Sequence, residues 1–167
     1  MKLIIKAFSL LIVLLMISCG GEEKKKESNK VKIGSKPIEK KVTPKKTTTK
    51  PSETIDLSNK GVGPITSVTV ASEIDQAMVT KGADVYKKMC TACHRADKKF
   101  IGPAPKGIMK RRTPEWIMNM ILDPEGMVKN DPLAKDLLME FNGAPMANQN
   151  LTEQEARAVL EYFRTLN

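Results

Sequence analysis

The sequence predicts an all-α domain of about four helices, preceded by a disordered tether. Residues 71–167 place apolar side chains at helical spacing behind clear helix-start signals, with no strand-like alternation. Residues 20–60 are dominated by Lys, Thr, Ser, Glu and Pro and contain no aromatic side chain. The net charge of +9 is concentrated in residues 20–50, which hold eleven Lys and four Glu, whereas residues 71–167 are close to neutral. A segment of that composition cannot bury enough apolar surface to offset its chain entropy. A nucleic-acid-binding domain carries its positive charge on the folded part. Here the charge lies on a spacer, so nucleic acid is not an expected partner.

The first stretch, "MKLIIKAFSLLIVLLMISCGG", opens with Lys2 and Lys6, runs apolar from Ala7 to Ile17, and ends in small residues around Cys19. That is the layout of an export signal over residues 1–18. The apolar run is shorter than the ~20 residues a membrane-spanning helix needs. "MISC" resembles a bacterial lipobox, which implies cleavage before Cys19 and acylation of its thiol. Each acyl methylene that enters the bilayer contributes about 0.8 kcal/mol, so several chains on one cysteine anchor the protein stably. No Asp adjoins Cys19, which favours the outer membrane. Residues 19–70 then read as a lipid-anchored, disordered Lys/Thr/Pro-rich linker. Within it, "GVGPITSVTV" at 61–70 is richer in β-branched residues and reads as an extended strap along the domain.

The helices of residues 71–167 are marked by their ends. "KGADVYKKMCTACH" sets Gly82, Val85, Tyr86, Met89, Cys90 and Cys93 at helical spacing. Thr113–Pro114 and Asp131–Pro132 each supply an N-cap followed by proline at the first helical position. Gly143 terminates the second of these helices. Thr152 and Glu155 form a capping box ahead of an apolar face of Ala156, Val159, Leu160 and Phe163. One Trp, two Tyr and four Phe serve the whole chain, which leaves a thin core. A flat apolar cofactor would complete it.

Cys90, Cys93 and His94 form C-x-x-C-H, and His94 is the only histidine. This is the attachment sequence for a c-type haem. Two thiols three residues apart reach the two vinyl groups of one porphyrin edge as thioethers, and the adjacent imidazole gives a nitrogen to iron. A structural zinc site needs four ligands, and the domain has no further Cys or His. A thioredoxin-like dithiol needs a βαβ setting, and this stretch is helical.

On these residues, 80–166 resembles a class I mono-haem cytochrome c domain, here in a bacterial lipoprotein form. The resemblance implies a helix carrying the haem motif crossed by a C-terminal helix, with Gly82, Tyr86, Tyr162 and Phe163 at the crossing. "IGPAPKGI" resembles the family's Gly-Pro loop, which implies that Pro103 offers its carbonyl to the second ring nitrogen of His94. One histidine rules out bis-histidine ligation within the chain. Of the methionines outside the signal, Met127 and Met146 fall in expected loops. The family places its axial methionine in a loop before the last helix, which favours Met146. His/Met ligation raises the potential and fills both axial positions.

The expected function is therefore a membrane-tethered electron carrier rather than an enzyme, with the haem domain in the periplasm or at the cell surface of a Gram-negative-type bacterium. Lys87, Lys88, Lys98 and Lys99 flank the motif, and the family commonly steers acidic redox partners with such lysines. Lys106, Arg111, Arg112 and Trp116 are the candidates for a haem propionate. Some lipoprotein cytochromes of this kind accompany denitrification reductases such as nitrous oxide reductase. The alternative function is a five-coordinate haem sensor or small-gas binder, which requires that Met146 leave the iron free.

Overall fold

Every helix starts where a side-chain oxygen takes up its first free amides. The computed structural model describes residues 49–167, and among them there are five α-helices and no strand. Helix α1, Gln76–Met89, is capped by Asp75, which accepts from the amides of Ala77 and Met78. A short 3-10 turn follows at Ile108–Lys110. Helices α2 (Pro114–Leu122), α3 (Pro124–Asn130) and α4 (Pro132–Glu140) use Thr113, Asp123 and Asp131 as caps, each followed by proline. Helix α5, Glu153–Arg164, opens with the expected Thr152–Glu155 capping box.

Helix α3 is a short addition to the about four helices expected. "PEGMVKN" reads as a loop because it is only seven residues long and holds a glycine. The Asp123–Pro124 pair is nevertheless the same start device used by α4. Asp123 accepts from the Gly126 amide at 3.0 Å, the side-chain bond of a helix N-cap.

The core forms where α1 crosses α5. A Cβ on Gly82 would lie 1.9 Å from the Ala158 carbonyl oxygen, so the two backbones touch there. Tyr86, Tyr162 and Phe163 close the crossing as an aromatic cluster with centroids 5.4–6.1 Å apart. Ala156, Val159, Leu160 and Phe163 are all buried, as their spacing predicts. Helix α2 lies on α5, and α3 links α2 to α4.

The folded segment also extends further toward the N-terminus than the spacing of apolar residues suggests. Residues expected in a disordered linker from 49 to 60 are part of the fold, together with the 61–70 strap. Buried Asn119 accepts from the Ile65 amide at 2.9 Å and donates to the carbonyls of Lys60 and Ile65 at 3.1 and 2.9 Å. Glu140 accepts from the amide and hydroxyl of Ser52 at 2.7 and 2.6 Å. The Asp56 amide donates to the Arg111 carbonyl at 2.9 Å. Polar side chains of α2 and α4 bond its backbone, and Ile65 enters the core with Val68 and Val70 packed against it. The signal at 1–18, Cys19 and the basic stretch to residue 48 lie outside the described residues. Among the described residues no helix is long and apolar enough to cross a membrane.

Candidate functional site

The end of α1 builds the site. Cys90 is the C-cap of the helix, and its amide donates to the Tyr86 carbonyl. The chain then turns back on itself: the amides of Cys93 and His94 both donate to the Cys90 carbonyl, at 3.1 and 2.9 Å. Cys90 is thus half-buried at the helix end, while Cys93 stands exposed in the turn. Burial, and then the neighbouring Cys93, push the Cys90 thiol up to about 11.

The loop after the motif orients the imidazole. The Gly102 amide donates to the Cys93 carbonyl at 2.9 Å, and the Lys106 amide to the Ala96 carbonyl at 2.9 Å. These bonds bring the Pro103 carbonyl to 2.8 Å from His94 Nδ1. A carbonyl oxygen only accepts, so Nδ1 carries the proton in this contact and Nε2 keeps its lone pair. Gly102 makes the approach possible, because a Cβ there would lie 2.5 Å from His94 Cε1. Its role is missed by reading the motif alone; the signal is a glycine immediately before the proline that serves the ring.

Cys90, Cys93, His94 and Pro103 line one open cleft, together with Met146. Helix α2 contributes Trp116 and Met120 to it, and α4 with its cap contributes Leu137 and Phe141. The lining is predominantly apolar, as a flat hydrophobic ligand requires. Three methionines reach the cleft, Met89, Met120 and Met146, and only Met146 lies outside the helices. Met127, the other loop candidate, sits in α3 with no exposed surface and is 3.1 Å from the Val62 amide through its sulfur. It is a core residue.

The basic groups resolve as well. Trp116 Nε1 donates to Asp131 Oδ1 at 3.3 Å, and Arg111 gives both terminal nitrogens to the Lys106 carbonyl at 3.2 Å. Arg112 is buried, lines the cleft, and donates to the carbonyls of Pro51, Thr54 and Arg111. Lys87, Lys88, Lys98 and Lys99 are exposed, and the Lys99 ammonium lies 4.4 Å from the centre of the Phe141 ring. Among the described residues no three His, Cys, Asp or Glu side chains gather as a metal cage.

Comparison with known proteins agrees with this geometry. Residues 79–167 match the family model described as cytochrome c. Cytochrome c2 of Rhodopseudomonas palustris is 29% identical over 110 residues, covering 52% of this chain and 96% of that protein. Cytochrome c from Rhodothermus marinus superposes with a TM-score of 0.60 at 43% identity, covering 62% of this chain and 89% of that one. An engineered form of the same protein, bound to a carbene intermediate, gives a TM-score of 0.58 at 42% identity over 62% of this chain and 89% of its own.

Proposed function

Because the chain belongs to the cytochrome c family, we propose that it is a lipid-anchored electron carrier of the cell envelope, held through Cys19 and serving respiratory redox partners. Haem c is the cofactor of this family, and when bound it supplies reversible one-electron exchange at its iron. The cleft suits it in three ways. Its lining is apolar, its two thiols stand three residues apart as in the haem-attachment sequence, and its only imidazole is already committed through Nδ1. Cys90 and Cys93 would hold the ring, and His94 Nε2 would bind iron on one side.

The observation that carries the reading is the His94–Pro103 contact of 2.8 Å. It fixes the tautomer and raises the basicity of the free nitrogen. Met146 is our assignment for the opposite ligand. It is supported by its place in the cleft and by the removal of Met127 to the core. Held by His94 and Met146, the iron would keep no open position, and these residues would serve to hold it and exclude water, not to bind a substrate.

The exposed lysines around the motif would attract an acidic partner surface. Anchoring and a tether convert that encounter into an intramolecular one with a raised effective concentration. A terminal reductase, as in denitrification, is a partner of the appropriate kind. The haem domain would work in the periplasm or at the cell surface.

The test is spectroscopic, on full chain matured by an exporting host. The protein should give a low-spin spectrum with a methionine–iron charge-transfer band in its oxidised form. Met146→Ala should abolish the band. If the band persists in that variant, another sulfur is the ligand. Rapid stoichiometric carbon monoxide binding by the reduced wild type would favour the five-coordinate sensor instead.

A further inference from the structure

The segment 49–60 turns its apolar side chains to water. Its only large apolar side chains are Ile55 and Leu57, and they are 68% and 59% exposed. The backbone between them is fixed to the fold. The Asp56 amide donates to the Arg111 carbonyl at 2.9 Å. The Asp56 carboxylate accepts from the amides of Ser58 and Asn59 at 3.0 and 2.9 Å and from the Ser58 hydroxyl at 2.8 Å. These bonds hold the turn that presents both side chains outward. The neighbouring groups are charged. Lys50 is exposed and pairs with Glu53 at 3.4 Å, and Lys60 pairs with Glu115 at 3.3 Å. Lys110 is exposed next to the Arg111 that bonds Asp56. The result is a small apolar tip with a basic surround, in which Glu53 and Asp56 are already engaged.

We propose that Ile55 and Leu57 form a membrane-resting face, which inserts among the headgroups of an anionic phospholipid bilayer when the protein is anchored. The proposal rests on the lipid-anchored reading above. Three observations favour a bilayer over other occupants. The basic stretch, with eleven Lys against four Glu in residues 20–50, joins the fold only a few residues before Ile55, and lysines so placed are drawn to anionic lipid. Two apolar side chains among charged neighbours are too few for a protein interface, which takes roughly 20 residues a side. They suit shallow insertion, where a little buried apolar area adds to electrostatic attraction. The face also precedes residues 79–167, the stretch that matches the family, so it is a feature of this chain and not of the cytochrome c fold. An anchor alone leaves the domain free to turn. A second contact on the fold itself fixes which side meets the membrane.

The test uses full-chain holoprotein reconstituted in vesicles of phosphatidylcholine, either alone or mixed with phosphatidylglycerol. Mass spectrometry of the intact chain reports acylation of Cys19, so failure of the anchoring reading is separately visible. Amide exchange at Ile55 and Leu57 should slow about tenfold in the phosphatidylglycerol vesicles relative to phosphatidylcholine alone. Ile55→Ser/Leu57→Ser should abolish the slowing and leave the melting midpoint unchanged, because both side chains are exposed. Equal slowing in the double variant would mean that lysines alone hold the chain, and would overturn the proposal. So would slowing that persists without phosphatidylglycerol and grows with protein density, which marks a second copy as the occupant. Exchange unchanged by either lipid would leave the face in water and refute it. If Cys19 carries no acyl group, co-sedimentation of the unanchored chain with the same vesicles decides. Apparent affinity for the phosphatidylglycerol vesicles about tenfold weaker in the double variant supports the face, and equal binding, or none, overturns it.

Discussion

At the scale of single residues, the chain repeatedly makes one side chain serve two elements. His94 gives one nitrogen to the Pro103 carbonyl and keeps the other free. Glu161 does the same for charge. It is 1% exposed, pairs with Arg157 at 2.6 Å and with Arg164, and accepts from the Asp75 amide at 3.0 Å. Arg164 in turn donates to the carbonyls of Ala71, Ser72 and Glu73, so this node fixes the approach to α1. Burial by itself would raise the Glu161 carboxyl, but the bonds from Arg157 and Asp75 and the two arginine charges outweigh it and leave the pKa below the ordinary 4.5. A depressed carboxylate contributes stability above its unfolded value and loses it as pH falls through the folded one. Glu161→Gln should therefore cost about 2 kcal/mol at neutral pH, with the gap to wild type closing progressively below pH 4.5 in denaturant titrations of the holoprotein. A gap independent of pH would mean that packing, not charge, holds the node. Of the residues at the site, Cys90, Cys93, His94 and Pro103 are legible in sequence because their chemistry is confined to fourteen consecutive positions. Arg112 is legible only as one of four basic or aromatic candidates, since its partners Pro51 and Thr54 lie 61 and 58 residues away and no local pattern announces them.

At the scale of elements, helix starts were legible and chain packing was not. Thr113, Asp131 and Thr152 cap as read, because capping is a contact within three residues. Helix α3 was hidden by its shortness, and the segment 49–60 by its polarity: it lacks the apolar alternation that marks a docked strand. What secures it is the supply of polar side chains on α2 and α4, visible only once those helices have an orientation. Gly82 could be read, since a glycine in a helix interior costs about 1 kcal/mol and calls for a compensating contact. The contact is the Ala158 carbonyl. On an exposed helix Gly→Ala would stabilise by nearly that amount. Here Gly82→Ala should destabilise the holoprotein by about 3 kcal/mol, because α1 and α5 must separate to admit the methyl group. Thermal melts of the two proteins measure the sign directly, and a stabilised variant would place the backbones farther apart than described.

At the scale of the whole fold, the described residues divide into a self-sufficient half and a dependent one. Helices α1 and α5 make the dense crossing, and α2 rests on α5. Helix α4 packs chiefly on the short α3, and its Leu137, with the cap residue Phe141, turns to the cleft. Those side chains, with Trp116 and Met120 of α2, form the wall against which the cofactor would pack. This is the physical meaning of the thin aromatic composition: the chain encodes part of a core and leaves a flat apolar object to supply the rest. Cys90→Ala/Cys93→Ala removes the covalent attachment and keeps the C-cap of α1, because Cys90 caps the helix through its backbone amide. Such a chain should lose its cooperative thermal transition and, under native conditions, exchange the amides of α3 and α4 orders of magnitude faster than holoprotein. The amides of α1 and α5 should be the slowest survivors, because their contact is protein on protein. Uniform protection across all five helices in the haem-free double variant would show that the polypeptide closes its own core, and the cleft would then be a pocket the fold tolerates empty and not one it depends on filling.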